Sequence, residues 1–143
     1  MRAAALLLAA AIGLGSPAKA QEQCRLALLL GMDVSASVDA AEYQLQIEGL
    51  AASLIHPSVV EAALNGNGPV ALSVYEWSGR FQQDVLVDWV LIRSEEDLVT
   101  VAERVLRATR NHEDFPTALG YALGFAATHL ERAPPCLFRT VDI

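Results

Sequence analysis

Apolar positions fall along the chain in blocks that switch between strand and helix patterning. Arg25 to Met32 is a nearly continuous apolar run, the pattern of a strand covered on both faces. Asp39-x-x-Glu42 then reads as a capping box. It opens a helix in which Tyr43, Ile47, Leu50, Ala51 and Leu54 recur at spacings of 4, 3, 1 and 3 and so share one face. His56-Pro57 stops that helix, and a short helical turn over Ser58–Leu64 is closed by Asn65-Gly66-Asn67-Gly68-Pro69, a loop by composition. Val70–Trp77 and Asp84–Ile92 read as strands, with Pro69 tolerated at the edge of the first. The link Ser78-Gly79-Arg80 is too short for anything but an antiparallel hairpin. Ser94 caps a further helix with Leu98, Val101, Ala102, Val105 and Leu106 on its inner face. After a polar loop over Asn111–Pro116, Thr117–Leu130 is apolar nearly all round, which predicts a buried helix with Gly120 and Gly124 at a close backbone approach. Pro134-Pro135 end it, and Leu137–Ile143 begins one more strand.

Strands separated by helices predict a three-layer α/β domain with a mostly parallel sheet and one antiparallel edge hairpin. At 143 residues there is room for one such domain. The first twenty residues stand apart from it. Arg2, an apolar run over Ala3–Leu14 and the small-x-small triplet Ala18-Lys19-Ala20 form a signal peptide, with cleavage after Ala20. The run is short of the roughly 20 residues an uncleaved anchor needs, and neither a lipobox around Cys24 nor a twin-arginine pair accompanies it. The domain is therefore 21–143, exported to the periplasm or beyond, with no membrane span after cleavage.

Composition narrows the function. The chain is 53% hydrophobic, which excludes disorder, and its formal net charge is −7. Cleavage removes Arg2 and Lys19, leaving eight arginines against 17 acidic residues, a balance of −9. Such a charge argues against nucleic acid as a partner. Lys19 is the only lysine, so the exported domain has no amine for Schiff-base chemistry and no P-loop lysine. In an oxidising compartment the two cysteines, Cys24 and Cys136, are placed for a disulfide if the strands beside them are parallel neighbours; two unrelated buried thiols are the alternative.

One motif carries chemistry: Asp33-Val34-Ser35-Ala36-Ser37, at the carboxyl end of the first strand, where open α/β sheets bind ligands. Residues i, i+2 and i+4 in a loop bending over a strand end can turn one carboxylate and two hydroxyls inward. These are hard donors, suited to Mg²⁺ or Ca²⁺ and poor for zinc or copper. The same residues can also cap the turn and the following helix. A second segment, Phe115-Pro116-Thr117-Ala118-Leu119-Gly120, faces the pentad from the start of the buried helix. Together they resemble the von Willebrand factor type A (VWA) domain, a Rossmann-like fold in which Asp-x-Ser-x-Ser, a later Thr and a later Asp form the metal-ion-dependent adhesion site (MIDAS). With the export signal, Asp33–Val38, Glu76-Trp77-Ser78-Gly79 and Trp89-x-Leu91-Ile92 more narrowly resemble DUF1194, a family of exported bacterial proteins of unknown function, over residues 24–143.

The resemblance implies a metal on Asp33, Ser35, Ser37 and Thr117, filled by Mg²⁺ (or Ca²⁺ or Mn²⁺), with an Asp or Glu carboxylate of a partner protein completing it. The third element, an Asp after the fourth strand, has no counterpart, because Asp142 lies within the strand and no Ser-Gly-Asp-Gly-like continuation follows. The resemblance thus implies an incomplete domain ending in its fourth strand, a C-terminal part missing, and weak metal binding. The leading function is a binding module, not an enzyme. Its rivals are a Mg²⁺-dependent enzyme using Asp33 as a phosphoryl acceptor, or a fragment without function. No histidine is positioned by motif for a triad with Ser35 or Ser37, and no nucleophile-elbow sequence occurs. His112, Glu113 and Asp114 read as a solvated loop, Trp77 and Trp89 as packing residues, and His129 as a last-turn cation on the helix dipole.

Overall fold

The structure is a computed structural model that describes residues 23–143; the signal peptide expected over 1–20 lies outside the described residues. In chain order the elements are β1 (Cys24–Asp33), α1 (Ala40–Leu54), α2 (Pro57–Leu64), β2 (Val70–Trp77), β3 (Gln83–Ile92), α3 (Glu95–Leu106), α4 (Leu119–Glu131) and β4 (Cys136–Asp142). The sheet order is β3-β2-β1-β4. β1 pairs in parallel with both β2 and β4, and β3 closes one edge antiparallel to β2. This is the expected three-layer domain with one edge hairpin.

Helix boundaries follow local chemistry. The Asp39 carboxylate accepts from the Ala41 and Glu42 N–H groups at 2.8 Å each, and Glu42 returns the bond to the Asp39 N–H, so α1 opens on a complete capping box. Asp39→Ala should therefore cost about 1 kcal/mol, measured as a shift in urea midpoint at unchanged m-value. Ser94 and Asp97 cap α3 the same way. Backbone N–H bonds from Arg93 and Ser94 hold the Asp97 carboxyl below its ordinary range.

One face of the sheet carries the larger core. Ile47, Ala51 and Leu54 of α1 meet Leu98, Val101, Ala102 and Val105 of α3 over Leu72, Val74, Val87 and Ile92. Each fully buried branched side chain there contributes about 1.5–3 kcal/mol. Leu106, expected on the inner face, is 52% exposed and lines an open groove with Ala52, Ile55 and Val99 where α3 ends beside α1. On the opposite face α4 buries Ala122, Ala126 and His129, with Phe125 and Leu130 partly buried beside them, in the layer over Leu29, Tyr75 and Trp77. Gly31 makes room here, since a Cβ at that position would stand 2.7 Å from the Tyr75 ring. The Tyr75 hydroxyl donates to the Ala122 carbonyl at 3.1 Å, and burial pushes its pKa up to about 12.

Three expectations need correction. α4 is not buried all round: Tyr121 and Leu123 are 48% and 43% exposed, and a Cβ at Gly120 or Gly124 would meet nothing within 4 Å. Ala122, Ala126 and His129 are buried against the sheet, with Phe125 and Leu130 packed partly beside them, while Leu119, Tyr121 and Leu123 face outward. β4 is also largely open, with Phe138 70% exposed and only Cys136 and Val141 packed partly against the cores beside α4. His129 is buried, not a solvated cation. It stacks between Trp89 and Phe125, with Nε2 2.9 Å from Ser73 Oγ and Nδ1 2.9 Å from the Arg132 guanidinium.

Burial, then the positive charge of Arg132, lowers the His129 pKa, against a smaller opposite pull from Asp88, whose Oδ1 is 3.8 Å from Nε2. The folded state thus keeps this imidazole neutral while the unfolded chain protonates it below about pH 6.5. Stability is complete above that pH and falls as pH drops through it, by at most about 1.4 kcal/mol per pH unit. Urea midpoints at pH 7.5 and 5.5 should show the loss, and His129→Gln should flatten it.

Cys24 and Cys136 are opposite each other in the β1–β4 register and form a disulfide with an S–S distance of 2.03 Å. The expected pairing is correct, although each cysteine opens its strand rather than preceding it.

Candidate metal site

The chain leaves β1 for β2 on one side, and β4 returns on the other, so the carboxyl end of β1 is the crevice where the strand order divides. Asp33 is its last residue. The loop that follows is fixed from three sides. Val34 N–H donates to the Trp77 carbonyl at 2.9 Å, Ala36 N–H to the Phe115 carbonyl at 2.8 Å, and Val38 N–H to the Ser35 carbonyl at 2.9 Å. The segment carrying Thr117 is tied down in turn, with Ala118 N–H donating to the Ser78 carbonyl at 2.8 Å. That bond holds Ala118 out of helical geometry, so α4 begins at Leu119 and Thr117 sits in the loop before it, not in the helix as its sequence suggests.

These tethers bring the three sequence-predicted hydroxyls together. Ser35 Oγ lies 3.2 Å from Ser37 Oγ and 2.9 Å from Thr117 Oγ1, across 82 residues of chain. Ser35 is fully buried at the floor, while Ser37 and Thr117 are exposed on either side. Asp33 is half-buried, and its Oδ1 accepts the Ser35 N–H at 2.8 Å. Three hydroxyls and one carboxylate are all hard oxygen donors, and this set fits Mg²⁺, Ca²⁺ or Mn²⁺ far better than a soft ion. Only one formal negative charge is among them. Among the described residues no group of three or more His, Cys, Asp or Glu side chains could hold a metal, so hydroxyls would have to supply most of the coordination. Asp142 is opposite Leu30 in the β1–β4 register, three residues short of Asp33. It shares a shallow crevice with Asp33, Gln46 and Leu50.

Several supporting residues carried no sequence signal. Arg110 reaches back from the loop after α3, and one terminal nitrogen donates to the carbonyls of Val34, Ser35 and Val38 at 2.9, 3.0 and 2.8 Å. It clamps the whole pentad. Gln46 Nε2 donates to the Asp33 carbonyl at 3.2 Å. Beneath the loop Glu76, 1% exposed, accepts from the Tyr43 hydroxyl at 2.7 Å. Burial raises the Glu76 pKa, with the Tyr43 bond and the charges of Arg110 and His112 opposing and Asp84 reinforcing. The Tyr43 hydroxyl is pushed far up by burial and by the same carboxylate. His112 is not simply solvated: its Nε2 lies 2.9 Å from Asp84 Oδ2. A lone arginine in a polar loop, or a single Glu in an apolar strand, has no spacing that marks it in advance.

Residues 23–143 match the family model described as "Protein of unknown function (DUF1194)". No curated protein matches the chain. Among solved structures, it is similar to the vWF domain of the type V pili tip protein Mfa5 from Porphyromonas gingivalis, with 11% identity and TM-score 0.54, over 83% of this chain and 36% of that one. It is similar to the PilB minor pilin from Streptococcus sanguinis, with 14% identity and TM-score 0.59, over 88% of this chain and 30% of that one. A third similar structure is proximal thread matrix protein 1 from the mussel byssus, with a zinc-occupied MIDAS motif. Its identity is 14% and its TM-score 0.54, over 76% of this chain and 26% of that one. This chain therefore spans about a third or less of each of those lengths, and the likeness shows the fold, a VWA-like domain.

Proposed function

We propose that this chain, which belongs to the DUF1194 family, is an exported protein-binding module in which Asp33, Ser35, Ser37 and Thr117 hold Mg²⁺, Ca²⁺ or Mn²⁺ and a partner's Asp or Glu completes the site. The observation that carries this reading is the convergence of Ser35 Oγ with both Ser37 Oγ and Thr117 Oγ1 within 3.2 Å. The metal supplies a positive charge that an anionic side chain can reach from solvent.

The chain's own residues do the rest. Ser35 anchors the floor, while Ser37 and Thr117 present their hydroxyls on the open side. Asp33 supplies the one negative charge, and Arg110 keeps the loop from spreading. Because a single carboxylate neutralises little of a dication, the bound ion retains net positive charge and attracts an external carboxylate. The same shortage makes affinity for the ion alone weak. The Cys24–Cys136 bridge and the export signal support a setting outside the cytoplasm.

The test is capture of partners from a periplasmic extract on the immobilised mature chain. Retention should require Mg²⁺, be lost with EDTA, and be lost with Asp33→Ala. Retention indifferent to both overturns the proposal. Incubation with acetyl phosphate and Mg²⁺ separates the enzymatic rival, since a phosphoryl mass increase on Asp33 would favour it.

A further inference from the structure

Beside the hydroxyl cluster, the turn joining β2 to β3 carries Arg80 and Phe81 at its tip, and both are exposed, Phe81 by 77%. The Arg80 guanidinium carbon stands 4.9 Å from the Phe81 ring centre and 5.1 Å from that of Tyr121 on α4. Tyr121 and Leu119 are each about half exposed, and Phe115 is 37% exposed. The turn is joined to the candidate site directly. Its first carbonyl, of Ser78, accepts the N–H of Ala118, next to Thr117. Gly79 presses on Phe115, where an added Cβ would stand 3.1 Å from the Phe115 Cβ.

Isolated exposed apolar residues are ordinary, but a group of them ringing a binding site marks an interaction surface. The chemistry of Arg80 says what it fits. No carboxylate lies within ion-pair distance of it among the described residues. In a domain with a large acidic excess, an arginine left without an acidic neighbour beside a candidate cation site keeps one part of the surface positive. The guanidinium carbon lies within cation–π range of both rings and the group is in no ion pair among the described residues, so its paired N–H donors can serve a planar external anion.

We infer that the partner presents a segment with two acidic residues, one carboxylate completing the hydroxyl cluster and the second gripped by Arg80, while apolar side chains of the same segment cover Phe81 and Tyr121. This rests on the reading of the hydroxyl cluster as a metal site, and it adds the composition of the ligand. Arg80 fixes which acidic segments bind; Asp33 and the hydroxyls fix that binding needs a metal.

The experiment uses a displayed library of 15-residue peptides with a fixed central Asp and randomised flanks, selected on the mature chain in Mg²⁺. Wild-type protein should enrich a second Asp or Glu at a fixed offset, next to apolar residues. A synthetic peptide of that consensus should bind about tenfold more weakly to Arg80→Ala, the scale of one charge-assisted contact. Its counterpart with the second acid changed to Gln should bind both proteins alike. Mg²⁺ affinity measured without peptide should be the same for Arg80→Ala and wild type, and Arg80→Lys should recover part of the loss. Equal peptide binding by Arg80→Ala and wild type, with binding still lost in Asp33→Ala, overturns this inference alone. Peptide binding that survives both EDTA and Asp33→Ala overturns the metal reading beneath it.

Discussion

Replacing both Cys24 and Cys136 by Ser, or reducing the bridge, is expected to lower the unfolding free energy by about 4–5 kcal/mol. The bond closes 112 residues of sequence, nearly all of the described chain. Loop-closure entropy removed from the unfolded ensemble grows with the logarithm of that length. It also joins β1 to β4, a strand most of whose residues are exposed and which, among the described residues, pairs with β1 alone. Typical domains are stable by only about 5–15 kcal/mol, so the reduced protein should be marginal. Guanidinium unfolding with and without reductant reads this directly. A midpoint that does not move would mean that β4 is held by its ladder with β1 and not by the bridge.

Arg110→Ala should cost roughly 2–4 kcal/mol, although the side chain is only half-buried and reaches the loop through backbone carbonyls, not through a proposed ligand oxygen. Its loss removes the side-chain donor from the carbonyls of Val34 and Val38, leaves the Ser35 carbonyl with the Val38 N–H, and takes a positive charge away from the buried Glu76. The pentad should loosen and Mg²⁺ binding should weaken by tenfold or more, with every proposed ligand still present. Arg110→Lys keeps the charge but not the reach of a planar fork, and should recover stability better than metal affinity. Unfolding curves and Mg²⁺ calorimetry on the same preparations separate the two effects. Unchanged Mg²⁺ affinity in a folded Arg110→Ala protein would remove Arg110 from the site.

Legibility followed the range of the interactions involved. The capping box at Asp39, the hairpin link after Trp77 and the apolar run of β1 are local, and each element formed where its pattern placed it. The cysteine pair could be placed because two parallel strands starting side by side bring their first residues together. What failed depended on the third dimension. The helix over Leu119–Glu131 is apolar nearly all round, and periodicity cannot say that Ala122, Ala126 and His129 are the residues it buries. His129 was misread because nothing in its neighbours in sequence shows that Ser73, Trp89 and Phe125 enclose it. For the site, the side chains themselves were readable from Asp33-x-Ser35-x-Ser37 and Thr117. The clamp that positions them was not, because Arg110 acts through backbone carbonyls, which any sequence possesses.

A titration of residues 21–143 with Mn²⁺, followed by electron paramagnetic resonance and competed with Mg²⁺, bears most directly on the hydroxyl cluster. The expected result is one weak site, with a dissociation constant on the order of 10⁻⁴–10⁻³ M, lost in Asp33→Ala and weakened in both Ser35→Ala and Thr117→Ala. Submicromolar affinity, or a site that survives all three substitutions, would contradict a dication held by one carboxylate and three hydroxyls.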